Sequence, residues 1–313
     1  MIMNLKQMDH ILYSTFLDDR DVAERIYALV ADCLLGPKQA EKIRLRYYDM
    51  YRNFFKYSKE ESIKYGCPTE VWEFSKGVEP FKPKGWDRYY EDTITVPVPI
   101  THPDFKDLTE RTEKRGAIGL DLPTWFNLKG NDKRVMLIAQ DPLRNNWWYS
   151  DADPTKGETY ICTDALLASP FGLHGRSWRE NKRGGGRIKL LVEKLIVHGY
   201  GVYLTDCRKY FVYDHKESAV YTANKRELYK NVLEKEIGII RPTLILAMGN
   251  EAYVYCKELL GDQAKLKYLP HFSGAATWKA KAYFGIPKEQ KMSVEGLADT
   301  YVKAIIDGRC GNE

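Results

Sequence analysis

Four short apolar runs constrain this 313-residue chain more than any other feature: RVMLIA (134–139), GVYLT (201–205), TLILAMG (243–249) and LKYLP (266–270). Each has the length of a strand. Each is also apolar nearly throughout rather than at alternate positions, the pattern of a strand covered on both faces in a parallel sheet. Between them, residues 187–198, 224–239 and 250–260 have helical length and helical apolar spacing. This β-α-β-α-β order predicts an α/β domain, a three-layer sandwich around a central, mainly parallel sheet. In such sheets the chemistry collects just past the carboxyl ends of the strands.

The first 130 residues have a different grammar. Asp18 and Asp19 precede Val22, Ile26, Leu29, Val30 and Cys33 at helical spacing, and Gly36-Pro37 closes the pattern, which predicts a helix. A second helical stretch covers roughly 38–57, and Ser58 with Glu61 forms a capping box that opens a third. From Cys67 to about Asn131 the prolines of VEPFKPKGW and VPVPITHP indicate a connecting segment rather than regular elements. The expected organisation is therefore an N-terminal helical extension with an irregular linker over 1–130, followed by an α/β domain over 131–313.

Charge separates the same two parts. Residues 1–130 carry 20 Lys and Arg against 21 Asp and Glu, whereas the remaining 183 carry 28 against 22. The densest basic stretch, Arg176–Lys189, has six basic side chains (among them Arg176, Arg179, Lys182 and Arg183) and one acidic one, a composition suited to seating phosphates or to a solvated loop. No apolar run approaches the roughly 18 residues of a membrane span, and MIMNLKQMDH lacks the pattern of a secretory signal. An intracellular, cytoplasmic location is expected, with no membrane partner. The six cysteines are dispersed without CxxC or Cys/His clustering, so free thiols and no metal site are expected.

At the predicted strand ends stand Gln140-Asp141-Pro142, Asp206-Cys207-Arg208-Lys209, Gly249-Asn250-Glu251-Ala252 and His271-Phe272-Ser273-Gly274. A carboxylate and an imidazole leaving different strands at one rim have the residue types of an acid/base or water-activating pair. Spacing alone also allows the plain alternative, an Asp-Pro turn and a solvated histidine.

The ordered series AQDP, PFGLHG, YLTD, ILAMGNEA and LPHFSG, across about residues 131–280, resembles the motif set of the uracil-DNA glycosylase superfamily. That family has a Gly-Gln-Asp-Pro-Tyr-His or related loop, a Phe that stacks on the base, a strand ending in Asn, an apolar strand running into Gly-x-x-Ala, and a terminal His-Pro-Ser. The resemblance implies removal of uracil or another damaged base from DNA by N-glycosidic hydrolysis, without metal or cofactor. Asp141 would orient water and stabilise the sugar cation, and His271 would donate to the base O2 as charge builds there. Gln140, Phe171 and Asp206 would line the base pocket. Ser273 and the basic stretch with Arg176, Arg179, Lys182 and Arg183 would hold the DNA backbone.

The chain departs from the pattern at four places. Asp206 replaces the uracil-reading Asn. An ionised Asp only accepts and would repel uracil O4, which leaves open a protonated Asp206, a different base or a shifted alignment. Leu143 stands where the best-known branch has a Tyr that blocks the thymine methyl. Phe272 replaces the Pro of His-Pro-Ser, and Ala275 stands near the wedge Leu, leaving Trp278 as its substitute. Two rival readings follow from these changes: a catalytically inactive nucleic-acid-binding protein of the same fold, and a hydrolase of free nucleosides or nucleotides. Gly184-Gly185-Gly186 lacks the P-loop spacing and reads as a turn, Asp151 and Asp153 read as a polar loop, and the 22 tyrosines read as packing residues.

Overall fold

A computed structural model describes residues 11–12, 15–44, 47, 97–103, 118–142, 164–173, 185–211, 225–262 and 265–311. Its strands are β1 (Pro97–Pro99), β2 (Ile118–Asp121), β3 (Thr124–Phe126), β4 (Arg134–Ala139), β5 (Asp164–Ala168), β6 (Gly201–Asp206), β7 (Tyr210–Phe211), β8 (Leu244–Met248) and β9 (Leu266–Leu269). Its helices are α1 (Arg20–Val30), α2 (Gly185–Val197), α3 (Arg226–Ile240), α4 (Asn250–Leu260), α5 (Thr277–Tyr283) and α6 (Val294–Ile306). The fold is α/β with a mixed, mostly parallel central sheet.

That sheet has the order β3-β6-β4-β8-β9, and only β3 runs antiparallel to its neighbour. Every residue of β6 is buried, as are all but the first of β4 and β8, which is why these runs read as continuously apolar. From the central β4 the chain goes to β6 on one side and returns to β8 on the other. With right-handed crossovers this reversal puts α2 on one face and α3 and α4 on the other. The packing agrees: α2 meets β6 and α6, whereas α3 meets α1 and α4, and α4 meets β8 and β9. The connections diverge at the carboxyl ends of β4 and β8, the place where sheets of this kind bind their ligands.

The segment expected to be an irregular linker is structured where it is described. Its residues form β1, β2 and β3, and β3 is the edge strand of the central sheet. β1, β5, β2 and β7 make a second, mixed sheet in that order. Pro97, Pro99 and Pro123 mislead because they stand in or beside strands of only three residues at sheet edges, where a missing N–H costs no ladder hydrogen bond.

α1 begins where expected. The Asp19 carboxylate accepts from the Val22 amide at 3.2 Å, and the helix runs on as a π turn, Ala31–Leu35, to Gly36. Gly36 has φ +108°, and a Cβ there would lie 2.2 Å from Thr101 Oγ1, so no other residue fits. α1 is tied to the sheet rather than appended to it. Phe16 bridges Phe126, Leu17 N donates to Trp125 O, Asn127 N donates to Thr15 O, and the Asp18 carboxylate accepts from the Leu128 and Lys129 amides. Tyr27, Tyr47, Trp125 and Tyr203 form a chain of ring contacts from α1 into the sheet. One hydrophobic core consequently contains residues from Leu12 to Cys310.

The other helical expectations for residues 38–61, the capping box among them, lie largely outside the described residues. Gly185 and Gly186 open α2 instead of forming a turn before it. Tyr47, Tyr203, Tyr210, Tyr229 and Tyr301 are among the largest fully buried side chains, in keeping with a packing role. Cys33, Cys207, Cys256 and Cys310 are free and buried. No helix among the described residues is long and apolar enough to cross a membrane.

Candidate functional site

Because β6, β4, β8 and β9 are parallel neighbours in register, their carboxyl ends form one rim. Ala139 pairs with Asp206 and Met248 with Leu269. The ladder then continues past the strands. Cys207 N donates to Ala139 O, Arg208 N to Gln140 O at 3.0 Å, and Gly249 N to Leu269 O at 2.7 Å. The same rim therefore carries Gln140 and Asp141 after β4, Asp206 at the end of β6, Gly249 after β8 and His271 after β9.

Asp141 is held from two sides. Its Oδ2 accepts from Gln140 Nε2 at 3.0 Å and lies 3.7 Å from Arg208 NH1. The Gln140 amide is thus engaged with its neighbouring carboxylate, whereas a base-reading role was expected of it. Burial raises the Asp141 carboxyl above its ordinary range, opposed by Arg208 and the Gln140 hydrogen bond. Arg208 also lies over the Tyr255 ring, 5.1 Å from its centroid, so the guanidinium is fixed between the two.

Phe171 comes from the second sheet. After β5 the chain makes a 3-10 turn, Pro170–Gly172, in which Phe171 takes the left-handed φ of 59° that non-glycine residues rarely adopt. Its ring meets His271 at 6.0 Å between centroids, tilted by 45°. His271 is half-buried, and burial holds its imidazolium below the ordinary range, so the ring is neutral at pH 7. Gly249 lies behind it: a Cβ there would stand 3.4 Å from His271 Cβ, and φ 95°, ψ 162° is a glycine-only conformation.

Phe272 has a packing role. The ring is buried against Tyr301, 4.6 Å between centroids, while Tyr301 Oη donates to Pro270 O. The His loop is pinned from both sides as a result. Ser273 Oγ accepts from Ala276 N at 3.3 Å, a local turn contact. Trp278 on α5 is 61% exposed, with Lys279 Nζ 5.6 Å from its ring centroid.

Asp206 is the anomaly. It is 3% exposed, and neither carboxylate oxygen has a hydrogen-bond partner. Burial raises its carboxyl well above the ordinary range, and the charges of Asp121 and Asp141 push in the same direction. Asp121 arrives there because β3 pairs antiparallel with β6, Thr124 opposite Leu204, so the chain just before β3 runs past the end of β6. The Lys209 ammonium opposes this rise through its charge, but its hydrogen bonds go elsewhere, to Glu236 Oε2 at 2.7 Å and to Thr205 Oγ1 at 2.8 Å.

Asp121 and Tyr255 were not singled out from sequence, and Arg208 was placed at a strand end without a role. Asp121 lay in the supposed linker, and Tyr255 carries no spacing that marks it. Leu143, Asp151, Asp153, Arg176, Arg179, Lys182 and Arg183 lie outside the described residues. Of the same basic stretch, Arg187 donates to Thr277 Oγ1 and lies over Phe272, and Lys189 pairs with Glu193 at 3.0 Å, so these two serve the packing around α2. Among the described residues no group of three or more His, Cys, Asp or Glu is arranged to hold a metal ion. The chain matches no model of a known protein family and no curated protein.

Proposed function

We propose that the chain is a divergent member of the uracil-DNA glycosylase superfamily, with that family's fold over residues 131–313, and that it removes uracil or another damaged base from DNA by N-glycosidic hydrolysis. The observation that carries this reading is the company His271 keeps. One rim holds the imidazole against the Phe171 ring and also carries Asp141, fixed by Gln140 and Arg208, two strands away.

The division of labour follows from charge. As the bond between the sugar C1′ and the base nitrogen breaks, its electron pair leaves with the base and positive character grows on the sugar. Asp141 in its ionised form, which Arg208 and Gln140 favour against burial, stabilises that cation and orients the water that attacks C1′. His271, neutral and therefore carrying one N–H, donates to the base oxygen where negative charge accumulates. Phe171 offers a face to the extruded base, and exposed Trp278 has the position and shape to fill the gap left in the duplex. Ser273 stands beside this wedge near the backbone phosphates, and the nucleic-acid partner is DNA. A free nucleoside would need no such wedge, so Trp278 favours DNA over that alternative.

Asp141→Asn preserves shape and removes the charge. It should retain oligonucleotide binding while losing most turnover, and His271→Ala should slow base release by about 100- to 1000-fold, the scale for removing one donor to a developing anion. Single-turnover base release alongside a binding isotherm separates the two effects. Equal loss of binding in both variants would point to an inactive binding module.

A further inference from the structure

Asp206 is a buried carboxyl whose oxygens both lack a partner, at the point of the rim where the base edge arrives in the proposed glycosylase. Leaving such a group ionised costs several kcal/mol unless hydrogen bonds or an opposite charge compensate. The groups that face it are Asp121 from β2, Asp141 after β4, and Cys207 and Lys209 after β6. Two of these are carboxylates and one is a thiol. The fourth, the Lys209 ammonium, opposes them through its charge but gives its hydrogen bonds to Glu236 and Thr205, and burial with Asp121 outweighs it. Asp141, by contrast, has Arg208 and Gln140. Two nearby carboxyls in such unequal surroundings divide into one ionised and one neutral acid.

We infer that Asp206 serves as a neutral carboxylic acid that reads a base edge presenting one donor beside one acceptor, as in the N–H and C=O of uracil or hypoxanthine. Its O–H donates to the ring carbonyl, and its C=O accepts from the neighbouring ring N–H. A neutral acid thereby supplies the donor and acceptor that an Asn amide would supply, whereas the ionised form offers two acceptors and repels the carbonyl. The reading also explains why both oxygens lack partners in the free protein: the base brings them. No neighbour fixes which oxygen carries the proton, so the carboxyl can present the pair in either order.

This inference rests on the base-pocket reading, and free bases separate the two. Binding of uracil and of 3-methyluracil, which lacks the ring N–H, is followed by ligand-observed NMR between about pH 5 and 9 for wild type, Asp206→Asn and Asp206→Ala. Wild type should bind uracil and reject 3-methyluracil, with affinity falling about tenfold per pH unit once Asp206 ionises. Asp206→Asn should keep affinity within about tenfold and lose that pH dependence, and Asp206→Ala should lose about 100-fold. Carboxyl infrared spectra of wild type alone, with 13C-labelled Asp, should contain a protonated-acid band at neutral pH that vanishes as pH rises. A missing band, no uracil binding at any pH, or affinity that rises with pH overturns the inference. Base release from oligonucleotides without the band would overturn it while leaving the glycosylase reading intact. The band and pH-dependent uracil binding without base release from any oligonucleotide would overturn only the glycosylase reading.

Discussion

At the scale of single residues, the rim is governed by how burial is compensated. Asp141 and Asp206 are the same residue type at neighbouring strand ends, yet one has a guanidinium and an amide and the other has neither. That difference has a consequence for stability. The Asp206 carboxyl titrates higher in the folded protein than in the unfolded chain, where its value is about 3.9. Below that value both states are protonated and folding loses nothing. As pH rises from about 4 towards the folded value, the unfolded chain releases its proton first, and stability falls until the folded group ionises as well. Asp206→Asn removes this dependence. Denaturant midpoints should show the variant gaining on wild type as pH rises from about 4, and a difference that shrinks with pH would contradict the assignment.

Elements set the rim by direction and register. The backbone turns sharply between β8 and α4 at φ 95° and ψ 162°, which only glycine adopts without strain. Gly249→Ala should therefore destabilise the fold by about 1 to 3 kcal/mol, read as a shift in denaturant midpoint at unchanged slope. The main elements were legible in the sequence because their burial is unambiguous. RVMLIA is apolar after its first residue since β4 has strands on both sides and helices on both faces, and 250–260 was readable as a helix from one apolar face. Three-residue strands have no such signature. β3 owes its existence to Tyr203 and Val202, more than 70 residues away, which pair with Trp125 and Phe126, and no local pattern announces that pairing. The site was legible to the same degree: Asp141 and His271 follow strands that could be read, while Asp121 ends one that could not. Arg208 and Tyr255 emerge only when α4 packs beside the β4–β6 rim.

For the whole molecule, the N-terminal part completes the α/β sheet. Phe16 and Leu17 cover the outer edge of β3, β3 covers β6, and α1 packs on α3. A fragment of residues 131–313 would expose β6, all of whose residues are buried, as a bare apolar edge. It should aggregate or elute as oligomers in size-exclusion chromatography where the full chain does not. A monomeric fragment with a cooperative unfolding transition would show that the two parts fold independently.

The rim of the central sheet carries Asp141 and His271, with the Phe171 ring against the imidazole, and the reaction proposed for it is base release. The direct measurement is incubation of the full chain with oligonucleotides containing uracil, hypoxanthine, xanthine or mismatched thymine, followed by detection of the free base and of the alkali-labile abasic site. Release of uracil or hypoxanthine by wild type, lost in Asp141→Asn, is the expected result. Intact oligonucleotides in every case, with binding still measurable, would contradict the hydrolase and leave a nucleic-acid-binding protein.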